Sequence, residues 1–228
     1  MIKDKNLELY LNIVFNKKIE DITEEDLRTI KTVSYENNED PNKYVLDLTE
    51  LNKFPNLEGI NFHNVLLRKK DIEVLKEIGI KKLRLHHCAI DDSNNLSLLD
   101  ELETLESINS YHESYDFLKY LVNLTYLAIT NPYTKEIISM DNIIPMTKLK
   151  KLALEQCIVD QIDKLKELKE IEFMNLLGTK LPNDIKEILK ELKNLKKIYI
   201  DEEIDLSELE KTIEIKNTLF EFPEGIEF

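Results

Sequence analysis

IKKLRLHHCAI (80–90) and LKKLALEQCIV (149–159) decide the fold, because one frame runs through both. Each has an apolar residue, an apolar-x-apolar pair three positions on, and a cysteine five positions after the pair begins. Outward from these two stretches the frame recurs. The first residues of successive pairs are Val33, Ile60, Leu83, Ile108, Leu127, Leu152, Ile171 and Ile198. Their mean spacing is about 24 residues, a period that belongs to repeat architectures. An apolar residue stands three before each: Ile30, Leu57, Ile80, Leu105, Leu124, Leu149, Leu168 and Leu195.

A pair of this kind is a short strand whose alternate side chains point to opposite sides. One such strand cannot bury its inner face alone, so the units must stack into a parallel sheet over a continuous core. The return segments lie on the other side. KKDIEVLKEI (69–78) and LPNDIKEILKEL (181–192) have helical spacing, whereas the shortest units have room only for a turn or a 3₁₀ segment.

The unit resembles the leucine-rich repeat, L-x-x-L-x-L-x-x-N/C-x-L, over residues 27–205. The resemblance implies an α/β solenoid with about eight parallel strands on its concave face and helices or irregular segments on the convex one. IEDITEEDLRTIKTVSY (19–35) looks like the N-terminal cap of bacterial members such as the internalins, with Thr-Glu-Glu-Asp (23–26) as a capping box. Three regions of one continuous domain are expected: a helical cap at 1–26, repeats at 27–205 and a C-terminal cap at 206–228. In the first, NLELYLNIVF (6–15) offers Leu7, Leu11, Val14 and Phe15 for one packed face. In the last, TIEIKNTLFEFPEGIEF (212–228) alternates and should add one or two short strands. The Asn/Cys slot is filled by Asn38, Val65, Cys88, Glu113, Pro132, Cys157, Leu176 and Glu203. Glu113, Pro132 and Glu203 suit it poorly, which leaves the register around 108–134 and 200–205 open.

Cys88 and Cys157 occupy a slot where a small, weakly polar side chain is buried, which suits free thiols. Three strands apart, they would sit about 14 Å from each other, beyond the ~7 Å that a disulfide spans. The outward columns of the sheet read Ser34, Asn61, Arg84, Asn109, Ala128, Ala153, Glu172, Tyr199, and then Glu36, His63, His86, Tyr111, Thr130, Glu155, Met174, Asp201. His63 and His86 fall on neighbouring strands, His87 and His112 just beyond, all beside Arg84, Tyr111 and Tyr126. Imidazoles on adjacent strands could share a zinc ion, but no Cys-x-x-Cys or His-x-x-x-His spacing supports a metal. A partner-binding patch fits better, since tyrosine and arginine are enriched at interface hot spots. The expected contact residues are Asn61, His63, Arg84, His86, Asn109, Tyr111 and Tyr126, with Glu155 and Glu172 as rim charges.

Composition bounds the function. The 228 residues carry 45 acidic and 31 basic side chains, a net charge of −14, and 42% are hydrophobic. Residues 201–228 alone hold ten acidic side chains and two lysines. Nucleic acid is not an expected partner, because phosphate binding needs a cationic footprint. No stretch approaches the ~20 apolar residues of a membrane span, and no secretory signal is visible, so the expected location is cytoplasmic, with a trimmed secreted chain left open. Three arginines among 31 basic residues, with much lysine, isoleucine and asparagine, point to an AT-rich bacterial genome. With four glycines and no Gly-x-Ser-x-Gly, His-Glu-x-x-His or phosphate-loop motif, no cofactor and no catalysis are expected. The expectation is a non-catalytic module that binds a protein on its concave sheet. The alternatives are an immunity protein or inhibitor that covers a toxin or enzyme and, behind it, a metal-binding protein or enzyme.

Overall fold

The computed structural model describes residues 2–37, 46–133, 135–201 and 206–217. Expectations for Asn38, Glu203 and the chain after 217 lie outside these residues. Nine parallel strands form one sheet in chain order: β1 (Thr32–Glu36), β2 (Gly59–His63), β3 (Lys82–His86), β4 (Thr104–Ile108), β5 (Tyr126–Thr130), β6 (Lys151–Glu155), β7 (Phe173–Asn175), β8 (Lys197–Tyr199) and β9 (Glu214–Lys216). The last adds one strand from the expected C-terminal cap.

The register aligns Val33, Ile60, Leu83, Leu105, Leu127, Leu152, Met174, Ile198 and Ile215. Two expected anchors are therefore wrong by three residues: Leu105 replaces Ile108, and Met174 replaces Ile171. In β4 the second inward position is Ser107, a polar residue that hides the pair from an apolar pattern. Ile171 instead belongs to the buried column three before each anchor, with Ile30, Leu57, Ile80, Leu102, Leu124, Leu149 and Leu195. The correction also moves the Asn/Cys slot from Glu113 to Ser110 and from Leu176 to Thr179. Both hydroxyls suit the slot. Ser110 Oγ accepts from Cys88 N at 3.0 Å, and Thr179 Oγ1 accepts from Cys157 N at 3.2 Å.

The residue before the slot turns the chain out of the sheet. Asn64, His87, Asn109 and Gln156 all adopt left-handed φ near +50°, and Gly178 does so at +67°. At Gly178 a Cβ would stand 2.8 Å from Gln156 Cγ, so glycine relieves both the torsion and the contact. On the far side the chain returns through α3 (Lys69–Ile78), α4 (Ile185–Lys190) and five 3₁₀ segments between 49 and 167. Asparagine amides bridge these turns: Asn56, Asn123 and Asn194 each donate to a carbonyl of the preceding unit, Arg28, Asp100 and Lys169.

At the N-terminal end α1 (Lys5–Phe15) covers β1, burying Leu7 and Leu11 while Phe15 is partly buried. Tyr10 Oη donates to Thr32 O at 2.6 Å. Val14, expected on the packed face, is exposed, because it lies off the 7–11–15 stripe. α2 (Glu24–Thr29) begins with the expected capping box of Thr23 and Asp26.

Both cysteines are buried and unpaired. Burial pushes the thiols up to about 11 at Cys88 and about 12 at Cys157, which keeps them protonated. His112, expected beside the outward histidines, is in the core at 1% exposure. It packs on Tyr115 and Phe117, and Nε2 lies 2.7 Å from Ser107 Oγ. This imidazole is the partner that makes a serine tolerable at an inward position.

Burial lowers His112 to about 4. The unfolded chain, with an ordinary imidazole near pH 6.5, then binds more protons than the folded one between those values. Its contribution is whole above about pH 6.5 and is lost as pH falls towards 4, by roughly 2–3 kcal/mol. His112→Gln keeps a partner for Ser107 but cannot titrate, so its stability in chemical denaturation should fall less steeply than wild type across this window. Equal slopes for the two proteins would show that His112 is not buried neutral.

Candidate functional site

The register decides which side chains share the open face. Successive outward positions between the anchor pairs are Ser34, Asn61, Arg84, Glu106, Ala128, Ala153, Asn175 and Tyr199. Glu106, on β4, is the residue that sequence reading missed. It takes the place expected for Asn109, and its side chain is only 1% exposed. A buried carboxylate must be paired or hydrogen-bonded. Arg84 and His86 of β3 do this. Arg84 Nη2 donates to Oε2 at 3.1 Å, and Nε lies 2.9 Å from Oε1 but off the N–H axis, a charge contact rather than a hydrogen bond. His86 Nε2 lies 3.0 Å from Oε1.

Tyr126 of β5 closes the other side. With Ala128 and Ala153 it forms a small buried cluster on the face, at 5% exposure. Burial raises its hydroxyl above the usual tyrosine value, helped by the Glu106 charge and opposed by Arg84. Tyr126 is therefore part of the floor and presents little surface to a partner. Arg84 and His86 stand above it with 28% and 31% of their side chains exposed. On β2, Asn61 is half-buried and donates to Ser34 Oγ at 3.2 Å. His63 is exposed, its ring edge-on to His87 with centroids 5.6 Å apart. Arg84, His86 and Tyr126 are thus brought together around Glu106, and Asn61 and His63 stand opposite Arg84 and His86 on the next strand.

Glu155 also faces the open side, on β6, and is half-buried. Asn175 Nδ2 donates to it at 3.3 Å, while burial raises its carboxyl above the ordinary value. Three expected residues lie elsewhere. Asn109 is the left-handed residue after β4, and Tyr111 joins the lateral edge, bridging Ala89. Glu172 precedes β7 and is ion-paired at the strand-entry edge with Lys196 at 2.5 Å and Lys150 at 4.0 Å. All three follow from the anchor slips at Ile108 and Ile171. Farther along, Phe173, Leu177 and Tyr199 cover one another on the open face. Among the described residues no group of three or more His, Cys, Asp or Glu is placed to hold a metal. No helix among them is long and apolar enough to cross a membrane.

No known family profile matches the chain, and no curated protein matches it. Solved structures do. It is similar to internalin inlF from Listeria monocytogenes, with TM-score 0.60 at 18% identity over 94% of this chain and 68% of that one. Internalin C2 from the same organism gives 0.57 at 20% identity over 86% of this chain and 93% of its own. TLR13 in complex with ssRNA13 gives 0.57 at 18% identity over 91% of this chain and 35% of that one. The fold is that of the leucine-rich repeat solenoids.

The placement of the tyrosines separates two roles. Tyr126→Ala should cost about 3–5 kcal/mol, as removal of a packed aromatic does, whereas Tyr111→Ala at 50% exposure should stay within about 0.5 kcal/mol of wild type. Thermal melts of both variants check this, and the reverse order would mean that the register of β4 and β5 is wrong.

Proposed function

We propose that this chain is a non-catalytic module that binds a partner protein on its open sheet face, around Arg84, His86, His63 and Asn61. The observation that carries the reading is Glu106. Its buried carboxylate fixes Arg84 and His86 in place while leaving part of each exposed. Groups already held in one geometry lose little entropy on binding, and an arginine fork is suited to carboxylates and carbonyls of a partner. Glu155, on the same face, adds a charge that acts on encounter and salt dependence.

The fold alone does not choose protein over RNA, since TLR13 has been solved with ssRNA13. The net charge of −14 favours protein, because each phosphate contact would have to be made against a repulsive field. The same charge supports a second, narrower reading as an inhibitor or immunity protein that covers a basic catalytic surface. The two diverge on one point: an inhibitor abolishes its partner's activity at stoichiometric occupancy.

Affinity capture from the cells that express the chain should return a partner whose affinity falls when the face is altered. Arg84→Lys keeps a charge near Glu106 but loses the fork, and His63→Ala removes an exposed ring. Each should weaken binding by about 1–2 kcal/mol in titration calorimetry, at unchanged melting temperature for His63→Ala and with the fold retained for Arg84→Lys. A captured partner that binds both variants as tightly as wild type would place the interface off this face.

A further inference from the structure

Beyond the open face, the lateral edge where the chain leaves β4 and β5 carries a groove of about 480 Å³. Asn109, Tyr111, Tyr133, Lys135 and Glu136 line it. Among the described tyrosines Tyr111, Tyr120 and Tyr133 are largely exposed, and two of these three line this groove. Tyr126 and Tyr199 are buried on the face, but Tyr111 is 50% and Tyr133 82% exposed, both on one groove. Large aromatic side chains left in water on two neighbouring units are a feature of recognition surfaces. Glu136 makes no ion pair with any other described residue, and the whole chain carries −14.

We propose that this groove receives a cationic side chain, arginine above all, from a basic segment of a partner protein. A guanidinium is planar, weakly hydrated and permanently charged, so it stacks between tyrosine faces while its edge reaches a carboxylate. Tyr111 and Tyr133 supply the faces, and Glu136 the carboxylate. Lys135 offsets one charge locally, but the surrounding field stays negative and draws cations to the edge. An aliphatic side chain would gain the tyrosine contact and leave Glu136 unused. The proposal does not rest on the open-face reading, since none of its residues belongs to that site.

The test uses the whole chain with its nine tyrosines labelled with ¹³C at the ring ε positions. Two acetylated, amidated pentapeptides are titrated in: Gly-Arg-Gly-Arg-Gly, and its twin with citrulline, the uncharged isostere, in place of arginine. Tyr→Phe variants assign the Tyr111 and Tyr133 signals. These two should shift saturably with the arginine peptide, at a midpoint roughly ten-fold below that of the citrulline peptide. Glu136→Gln should raise the arginine midpoint several-fold and leave the citrulline one alone. Equal midpoints for the two peptides would assign the groove to an uncharged side chain and overturn the proposal. So would a response spread evenly over all tyrosines, which means diffuse attraction to an acidic surface, or no response at all.

Discussion

No unit of this chain can bury its own two inward side chains. Leu83 and Leu85 are wholly buried because Ile60 and Phe62 precede them and Leu105 and Ser107 follow, in strict parallel register. The strand portion of every unit is therefore fixed, while the return segment is free to vary. From Val33 to Ile198 the corrected anchors stand between 22 and 27 residues apart, and the difference is absorbed by one helix or 3₁₀ segment. Backbone bonds run across unit boundaries in the same way. Lys31, Glu58, Lys81, Glu103, Thr125, Lys150 and Glu172 each lend a carbonyl to two amides of the next unit. Stability in such an array accumulates through nearest-neighbour interfaces, and the first of these is closed by α1.

With the inward positions committed to packing, the open face carries the chain's individuality. Its centre is more crowded than an exposed sheet requires. Glu106, Tyr126, Phe173 and Tyr199 are all buried although they point away from the core. A buried carboxylate there is tolerable only with cationic or donor partners, and Arg84 and His86 fill that need from the neighbouring strand. The same pairing limits what the face can do. It fixes two polar groups in one orientation and leaves a shallow surface without a metal-binding cluster among the described residues.

Most of this architecture was legible because an inward leucine every two dozen residues has no other explanation. The frame around Leu83 and Leu152 transfers directly to Val33, Ile60, Leu127 and Ile198, and the capping box at Thr23 reads correctly. The two slips have physical causes. At β4 the inward Ser107 is satisfied by His112, a contact between residues five apart that no apolar pattern reveals. At β7 Ile171 and Phe173 imitate an anchor pair, but Phe173 turns to the open face and is sheltered by Tyr199. A better signal was present in the left-handed turn that follows β2, β3, β4, β6 and β7. Asn64, Asn109 and Gly178 are residue types that tolerate positive φ, and aligning on them would have placed Glu106 beside Arg84. The carboxylate's burial itself could not be read from spacing, because it depends on side chains from neighbouring strands, Arg84 and His86 among them.

The open face is organised by Glu106 as a buried charge held by Arg84. A double-mutant cycle on folding free energy, using Arg84→Met, Glu106→Gln and both together, measures this directly. Arg84→Met alone strands a carboxylate and should cost about 3–5 kcal/mol, while the double variant should recover at least ~1.5 kcal/mol relative to the sum of the singles. Additive effects, with Arg84→Met costing under about 0.5 kcal/mol, would mean that the two side chains do not meet and that β4 is not in the register described.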